Sequence, residues 1–433
     1  MNQFLKKYID KIVLIFLILS PFFDLMSSIF INVFKINFNF IILFKLFFLF
    51  ILIYYLFFIS TYSKKRSCIY YLLVLFLYSV IYMIIQIYYK DWSIFLYEAQ
   101  NLFRTIYFPV CLVCLFAVYK EKKFNIDKSL LSKILIIYLV LIFIPLITHT
   151  GFNSYAYSKV GSIGWFNSTN EIGGILSILF PFLILCLFEF KNKLISIIIF
   201  LSLFFIYFSL GSKVPVIAFV LITILYLFRY VITLFINKKY KILSFIMVIL
   251  IVIITAFVLI LPKTAFYKNI VIHLDFLEVK QVSDLFSIEK IDHFVFSSRI
   301  NFMEKTMSNY KDSTLSQQLF GIGYIENYGT DSVNIKTIEM DYYDVLFRNG
   351  IIGFIIIFAP FIKILILIYP QLIKKDELSF AIRWSTILII LLSLFSGHIL
   401  TSPSVSLFVV VILLSASFKL NCEIENDIIL KRK

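Results

Sequence analysis

The sequence predicts an all-α fold: a polytopic membrane helix bundle of about 12 transmembrane helices, with one long, partly helical outer loop between spans nine and ten. Three observations carry this reading. Apolar residues make up 61% of the 433 positions and charged residues only 15%, against about 45–50% and about 25% in a soluble domain. Apolar runs of about 20 residues, long enough to cross a hydrocarbon core of about 30 Å as a helix, fill most of the chain. Basic residues recur in every second connection between those runs, as they do where cytoplasmic loops hold the Lys and Arg excess.

In chain order the runs lie near 12–31, 40–61, 68–89, 94–119, 134–149, 168–188, 194–210, 214–230, 242–262, 342–369, 384–400 and 403–418. The first has the basic flank of a signal peptide (Lys6, Lys7, Lys11). Its long apolar run contains Pro21 and Asp24 and lacks a small-residue cleavage site, so it reads as a retained helix. The organisation expected is spans one to nine over 1–262, a large extracytoplasmic loop over 263–341, spans ten to twelve over 342–418, and a cytoplasmic tail over 419–433.

Segments 1–11, 62–67, 120–133, 189–193, 229–241, 370–383 and 419–433 hold 24 basic and 9 acidic residues, which accounts for the whole net charge of +15. The opposite short connections hold only Lys35, Lys90, Lys159 and Lys213. Both termini are therefore expected on the cytoplasmic side of the membrane. No basic run exceeds three residues, so the charge is topological and a nucleic-acid partner is not expected. Five scattered cysteines argue against a disulfide framework, and the Cys111/Cys114 pair falls in an apolar span, where it reads as core. No Gly-rich phosphate loop, Asp-x-Asp pair or metal-ligand cluster is apparent, so no cofactor and no metal are expected.

A loop of nearly eighty residues is far longer than an ordinary connection. Within it, 297–310 begins with serines suited to an N-cap and places Ile300, Phe302, Met303 and Met307 near one face, the pattern of an amphipathic helix. The stretch LFGIGYIENYG (319–329) has glycines that suggest tight turns. Such a loop should pack on the membrane mouth of the bundle.

Ionisable groups inside spans cost roughly 2.5–3.5 kcal/mol each at a helix centre, so they face a partner or a cavity. Asp24 and Lys45 read as mutually neutralised or snorkelling. Glu98 and Arg104, six residues apart, lie on different faces of one helix and should not pair. Arg104 is a candidate anion ligand.

Three outward clusters suggest chemistry. WFNSTNEIGG (165–174) offers Asn167, Asn170 and Glu171 for hydrogen bonding to a sugar, or Ser168 or Asn170 as a helix cap. SLGSKVP (209–215) holds Lys213 at a Gly turn with no local acid. IEMDYYDVLFRNGIIGF (338–354) brings three acids to the start of a span. Asp344 and Arg348, at i and i+4, read as an ion pair, whereas Glu339 and Asp341 have no local partner. His398, in FSGHILTSP, is either a site residue or a helix-end polar residue. A carboxylate at a watery membrane mouth can take a hydroxyl proton, while Lys213, Arg299 and Arg104 can neutralise phosphate.

The order GWFNSTNEIGG, SLGSKVP, SSRINF, LFGIGY and IEMDYYDVLFRNGIIG over residues 160–354 resembles the O-antigen polymerase and O-antigen ligase superfamily of bacterial membrane glycosyltransferases. In that family the residue after the Gly/Ser turn is usually Arg, and here it is Lys213; a loop Arg matches Arg299. Ligases place a His where this chain has Glu339, so the likeness is closer to polymerase-type members. The resemblance implies an undecaprenyl diphosphate-linked glycan as donor, a glycan hydroxyl as acceptor, transfer at the outer face, no required metal, and company of other polysaccharide-assembly proteins. By this reading Lys213, Arg299 and Arg104 bind diphosphate, Glu339 or Asp341 is the base of an inverting transfer, and Asn167, Asn170, Glu171 and His398 contact substrate. Two rivals stay open. A ligase shares the whole constellation, and a lipid-linked oligosaccharide flippase handles the same substrate without covalent chemistry, though the long outer loop argues against it.

Overall fold

The computed structural model describes residues 2–36, 40–122, 126–155, 159–279, 281–325 and 338–431, with side chains described except at 249, 250, 252–254, 282, 285, 288 and beyond 417. The helices are α1 (Asn2–Asn32), α2 (Phe40–Tyr54, continued by a π turn over Tyr55–Ile59), α3 (Lys65–Lys90), α4 (Phe95–Lys122), α5 (Lys128–Thr148), α6 (Thr169–Glu189), α7 (Lys193–Ser209) and α8 (Lys213–Ile236). They continue with α9 (Tyr240–Ile260), α10 (Ala265–Phe276), α11 (Ile288–Ile291), α12 (Arg299–Lys311), α13 (Leu315–Phe320), α14 (Asp341–Leu372), α15 (Glu377–Phe395) and α16 (Pro403–Lys431).

Among the described residues nine helices are long and apolar enough to cross a membrane, or ten if the pair bent by 62° between Thr255–Lys263 and Ala265–Phe276 is one span. Lys193–Ser209 and Pro403–Ser417 are shorter apolar helices. Each predicted span thus coincides with a helix, and the chain is a multi-pass membrane protein. The segment following the ninth span begins as helix α10, and the eleventh span stops at Phe395. His398 consequently sits in the loop between α15 and α16, beyond the span predicted to reach residue 400.

The chain divides into two compact units, Met1–Leu130 with Ser287–Lys433, and Leu131–Phe286. In the first, α4 packs against α2, α3, α14 and α16. Its residues Tyr107 to Leu112 and the stretch Val405–Leu414 of α16 are buried, and Cys111 and Cys114 are core, as expected. Lys45 lies 3.4 Å from Asp24 and donates to Ser404 Oγ, whose hydroxyl donates in turn to Asp24 at 3.0 Å. This buried triad removes two uncompensated charges from the apolar interior.

Glu98 and Arg104 do not pair. The fully buried Glu98 carboxylate receives Lys90 Nζ (3.2 Å), Tyr82 Oη (2.7 Å) and the backbone N–H groups of Tyr324 (2.7 Å) and Ile325 (3.2 Å). Lys90 also donates to Ile322 O, and Gln86 to Gly321 O. The LFGIGYI segment is thereby fastened by buried polar groups of α3 and α4. Its N–H groups also repair a break in α14: Ile322 N and Gly323 N donate to Phe347 O and Arg348 O at 3.1 Å each. Gly350 makes the break, with φ 71 and ψ 176. A Cβ there would stand 2.4 Å from Leu319 O and from Gly321 N, so only glycine fits the backbone angle and the approach.

The second unit is built around α6, buried from Ile172 to Leu185. Phe180, Tyr207 and Phe219 pack with ring centroids 4.9–5.6 Å apart. Tyr207 and Tyr226 hydroxyls donate to α6 carbonyls at Leu176 and Pro181. Ser168 caps α6 by accepting from Glu171 N, one of the two caps foreseen from sequence.

Candidate active site

The acids of IEMDYYD are separated by what they accept. Asp344 receives the N–H groups of Ile338 (3.0 Å) and Glu339 (2.9 Å), one on each oxygen. The expected i/i+4 partner is thus not the carboxylate's main contact: it caps the chain just before its own helix, and Arg348, within electrostatic range of it, donates to Gly323 O at 3.1 Å. Asp341 is also a backbone anchor. Its Oδ1 accepts from His398 N (2.8 Å) and Thr401 Oγ1 (2.7 Å), and its Oδ2 from Ile399 N (2.9 Å) and Leu400 N (2.8 Å). With Asp341 1% exposed, four donors hold the GHILT turn against the start of α14. Acids in a first helical turn also suit the positive end of the helix dipole.

Glu339 is left pointing elsewhere. Its Oε2 accepts from Arg299 Nη2 at 2.7 Å, and its Oε1 lies 3.8 Å from His398 Nε2. Burial pushes this carboxyl's pKa up, but His398 and Arg299 outweigh burial and hold it at about 2. Sequence reasoning gave Glu339 no local partner; Arg299 and His398 both come from distant segments.

Arg299 opens α12, and here the expected serine cap is corrected. Ser298 adopts φ 66 and caps nothing with its side chain; its hydroxyl pairs with His293 Nδ1 at 2.7 Å. The helix is capped by Asp292, whose carboxylate accepts from Ile300 N (2.9 Å) and Asn301 N (3.1 Å). The apolar face foreseen in 297–310 is present: Met303 and Met307, joined by Tyr310, pack on Ile338, Met340 and Phe347. Phe296 meets Phe395 at 5.8 Å, which sets the start of α12 beside the loop bearing His398. Arg299 Nε is buried and makes no hydrogen bond among the described residues.

Positive φ is uncommon outside glycine, yet Ser297 (57), Ser298 (66), Glu339 (61) and His398 (59) all adopt it. These residues are the Arg299–Glu339–His398 group or adjoin it in sequence. Gly397 makes the approach feasible, since a Cβ there would lie 2.1 Å from Glu339 O. Backbone strain of this kind concentrates at functional sites, at about 1–3 kcal/mol per residue.

Arg104 stands apart: it is exposed on α4, and no hydrogen bond or ion pair joins it to Arg299, Glu339 or His398 among the described residues.

In the second unit, Lys213 is the first residue of α8, and its Nζ lies 3.3 Å from His273 Nδ1. Lys159 is within electrostatic range of it, and burial pushes the Lys159 ammonium below its ordinary pKa. Asn269, one turn before His273 on α10, braces the Gly turn by donating to Gly211 O and bonding both N–H and C=O of Val160. Cations at a helix N-terminus make an anion-attracting end. His273 and Asn269 were missed from sequence; their i/i+4 spacing in NIVIHL was the available signal. Asn167 and Asn170 are exposed beside the α6 cap, and Glu171 is half-buried.

Among the described residues no group of three or more His, Cys, Asp or Glu is arranged to hold a metal ion. No match was found among curated proteins or among solved structures. The family described as O-antigen ligase like membrane protein matches over residues 6–292 and 281–423. On that match over most of its length, the chain belongs to the O-antigen ligase-like family of membrane proteins.

Proposed function

We propose that this protein polymerises lipid-linked surface-polysaccharide repeat units, by inverting glycosyl transfer from an undecaprenyl diphosphate-linked glycan at the outer face of the cytoplasmic membrane, without a metal. The family supports lipid-linked glycan transfer in general. The observation that carries the site is the convergence of Arg299, Glu339 and His398 from three separate segments, with strained backbone at each. Arg299 would engage the departing diphosphate through its guanidinium. Electrostatic stabilisation where charge develops is commonly the largest catalytic term. The Glu339/His398 couple would receive the acceptor hydroxyl's proton. Asp341, the other carboxylate considered, has both oxygens engaged by the GHILT turn, which favours Glu339 and His398. Lys213 is proposed as a diphosphate ligand of the second unit, and Asn167, Asn170 and Glu171 as acceptor or donor sugar contacts.

The His-to-acid change at position 339 favours polymerase over ligase. The test is to supply purified protein in lipid with lipid-linked repeat units and resolve the products by size. A ladder supports polymerisation. A single shift onto a second acceptor establishes ligase-type transfer instead, and absence of covalent product points to a flippase.

A further inference from the structure

We propose that His398, and none of the three acids of the IEMDYYD segment, is the group that takes the acceptor's proton, and that Glu339 is a positioning residue which fixes the imidazole. The inference rests on the glycosyl-transfer reading above. Glu339 Oε2 is engaged by Arg299 Nη2 at 2.7 Å, and its Oε1 faces His398 Nε2 at 3.8 Å. The negative charge on that side of the ring favours the proton on Nε2 and leaves the lone pair on Nδ1. The backbone N–H of His398 is tied to Asp341 at 2.8 Å, so the ring's base is fixed from a second side. The His398 side chain is 30% exposed, whereas Asp341 is 1% exposed.

The step balances as follows. The acceptor O–H bond breaks and its proton goes to His398 Nδ1. The oxygen forms a bond to the anomeric carbon, and the bond from that carbon to the diphosphate oxygen breaks, its electron pair leaving with the lipid diphosphate beside Arg299. His398 then returns its proton to water.

Arg299 on one oxygen and the His398 ring beside the other favour the charged, weakly basic form of the Glu339 carboxyl, whereas a neutral imidazole is an ordinary proton acceptor in general-base catalysis. Among the described residues the charged and titratable groups around His398 include Glu339 and Arg299, Asp341 and Asp344 at the start of α14, and Asp292 and His293 at the start of α12.

The experiment measures elongation of lipid-linked repeat units by the full-length protein in lipid, against pH. Wild type should show an acid limb near neutral pH. Glu339→Gln should keep measurable turnover and move that limb to lower pH, because the imidazole loses its carboxylate. His398→Asn and His398→Gly both tolerate the positive φ, and each should lose about 100-fold or more; added imidazole should restore the glycine variant in part. Near wild-type rates in either His398 variant, or a wild-type profile flat through neutral pH, overturn the proposal while leaving the transfer reading intact. No covalent product from wild type overturns the transfer reading itself, and this inference with it.

Discussion

Arg299 Nη2 donates to Glu339 Oε2 at 2.7 Å across 40 positions of sequence, joining the first residue of α12 to the residue two before α14. A guanidinium already matched to a carboxylate is geometrically prepared for the oxygens of a diphosphate. Replacing Arg299 by Ala should lower turnover by about 10²–10³-fold, the usual effect of deleting one donor to a developing charge, with protein abundance in the membrane unchanged. Arg299→Lys should recover only part of the loss, since a point charge lacks the bidentate fork. Steady-state elongation rates of the three proteins decide it.

The same pair predicts a pH dependence of stability. Glu339 is held at about 2, below its ordinary 4.5, so it contributes stability that is fully present above about 4.5 and is lost as pH falls toward 2. At neutral pH the contribution is at most about 3 kcal/mol. Thermal unfolding of wild type and Glu339→Gln should differ at pH 7 and converge only as pH falls to about 2. Curves separated by a constant amount at every pH would contradict it.

Asp341 holds four donors of the His398–Thr401 turn. Asp341→Ala should cost several times the roughly 1.5–3 kcal/mol of one hydrogen bond to a charged group, reduced by relaxation and water entry. Thr401→Ala, which removes one neutral donor, should cost about 1–2 kcal/mol. Melting temperatures in detergent rank the two.

Glu98→Gln should destabilise by about 3–5 kcal/mol because it strands Lys90 in the interior. The double variant Lys90→Met with Glu98→Gln should recover part of that loss. A double variant no better than Glu98→Gln would show that the backbone bonds from Tyr324 and Ile325, and not the ion pair, carry the effect.

If Lys213 neutralises phosphate as proposed, Lys213→Arg should keep elongation within about threefold, whereas Lys213→Ala should lose about tenfold or more. Elongation assays at low and high salt check this, since added salt screens a remaining charge but not an absent one.

The spans were legible because membrane solvation is nearly additive along the chain: a window of about 20 residues contains the information that positions a transmembrane helix. The α12 face was legible for the same local reason, with Met303 and Met307 one turn apart. Less was visible of the acids. Glu339, Asp341 and Asp344 are one kind of group within six residues, and local spacing pointed Asp344 to Arg348 without showing that its oxygens bind the backbone of Ile338 and Glu339. Asp91, Asp127 and Asp376 show how readily a carboxylate serves a nearby N–H, and spacing alone cannot tell a local acceptor from one that reaches across the bundle.

By itself the sequence determined that this is a multi-pass helical membrane protein, where its charge excess lies, and which short motifs carry polar groups at span ends. Tertiary structure alone decided their division of labour: Asp344 and Asp341 bind backbone, while Glu339 meets Arg299 and His398. The physical reason is range. Hydrophobic burial depends on composition within one helix, but a hydrogen bond exists only within about 3 Å, and the partners concerned are up to 60 residues apart along the chain.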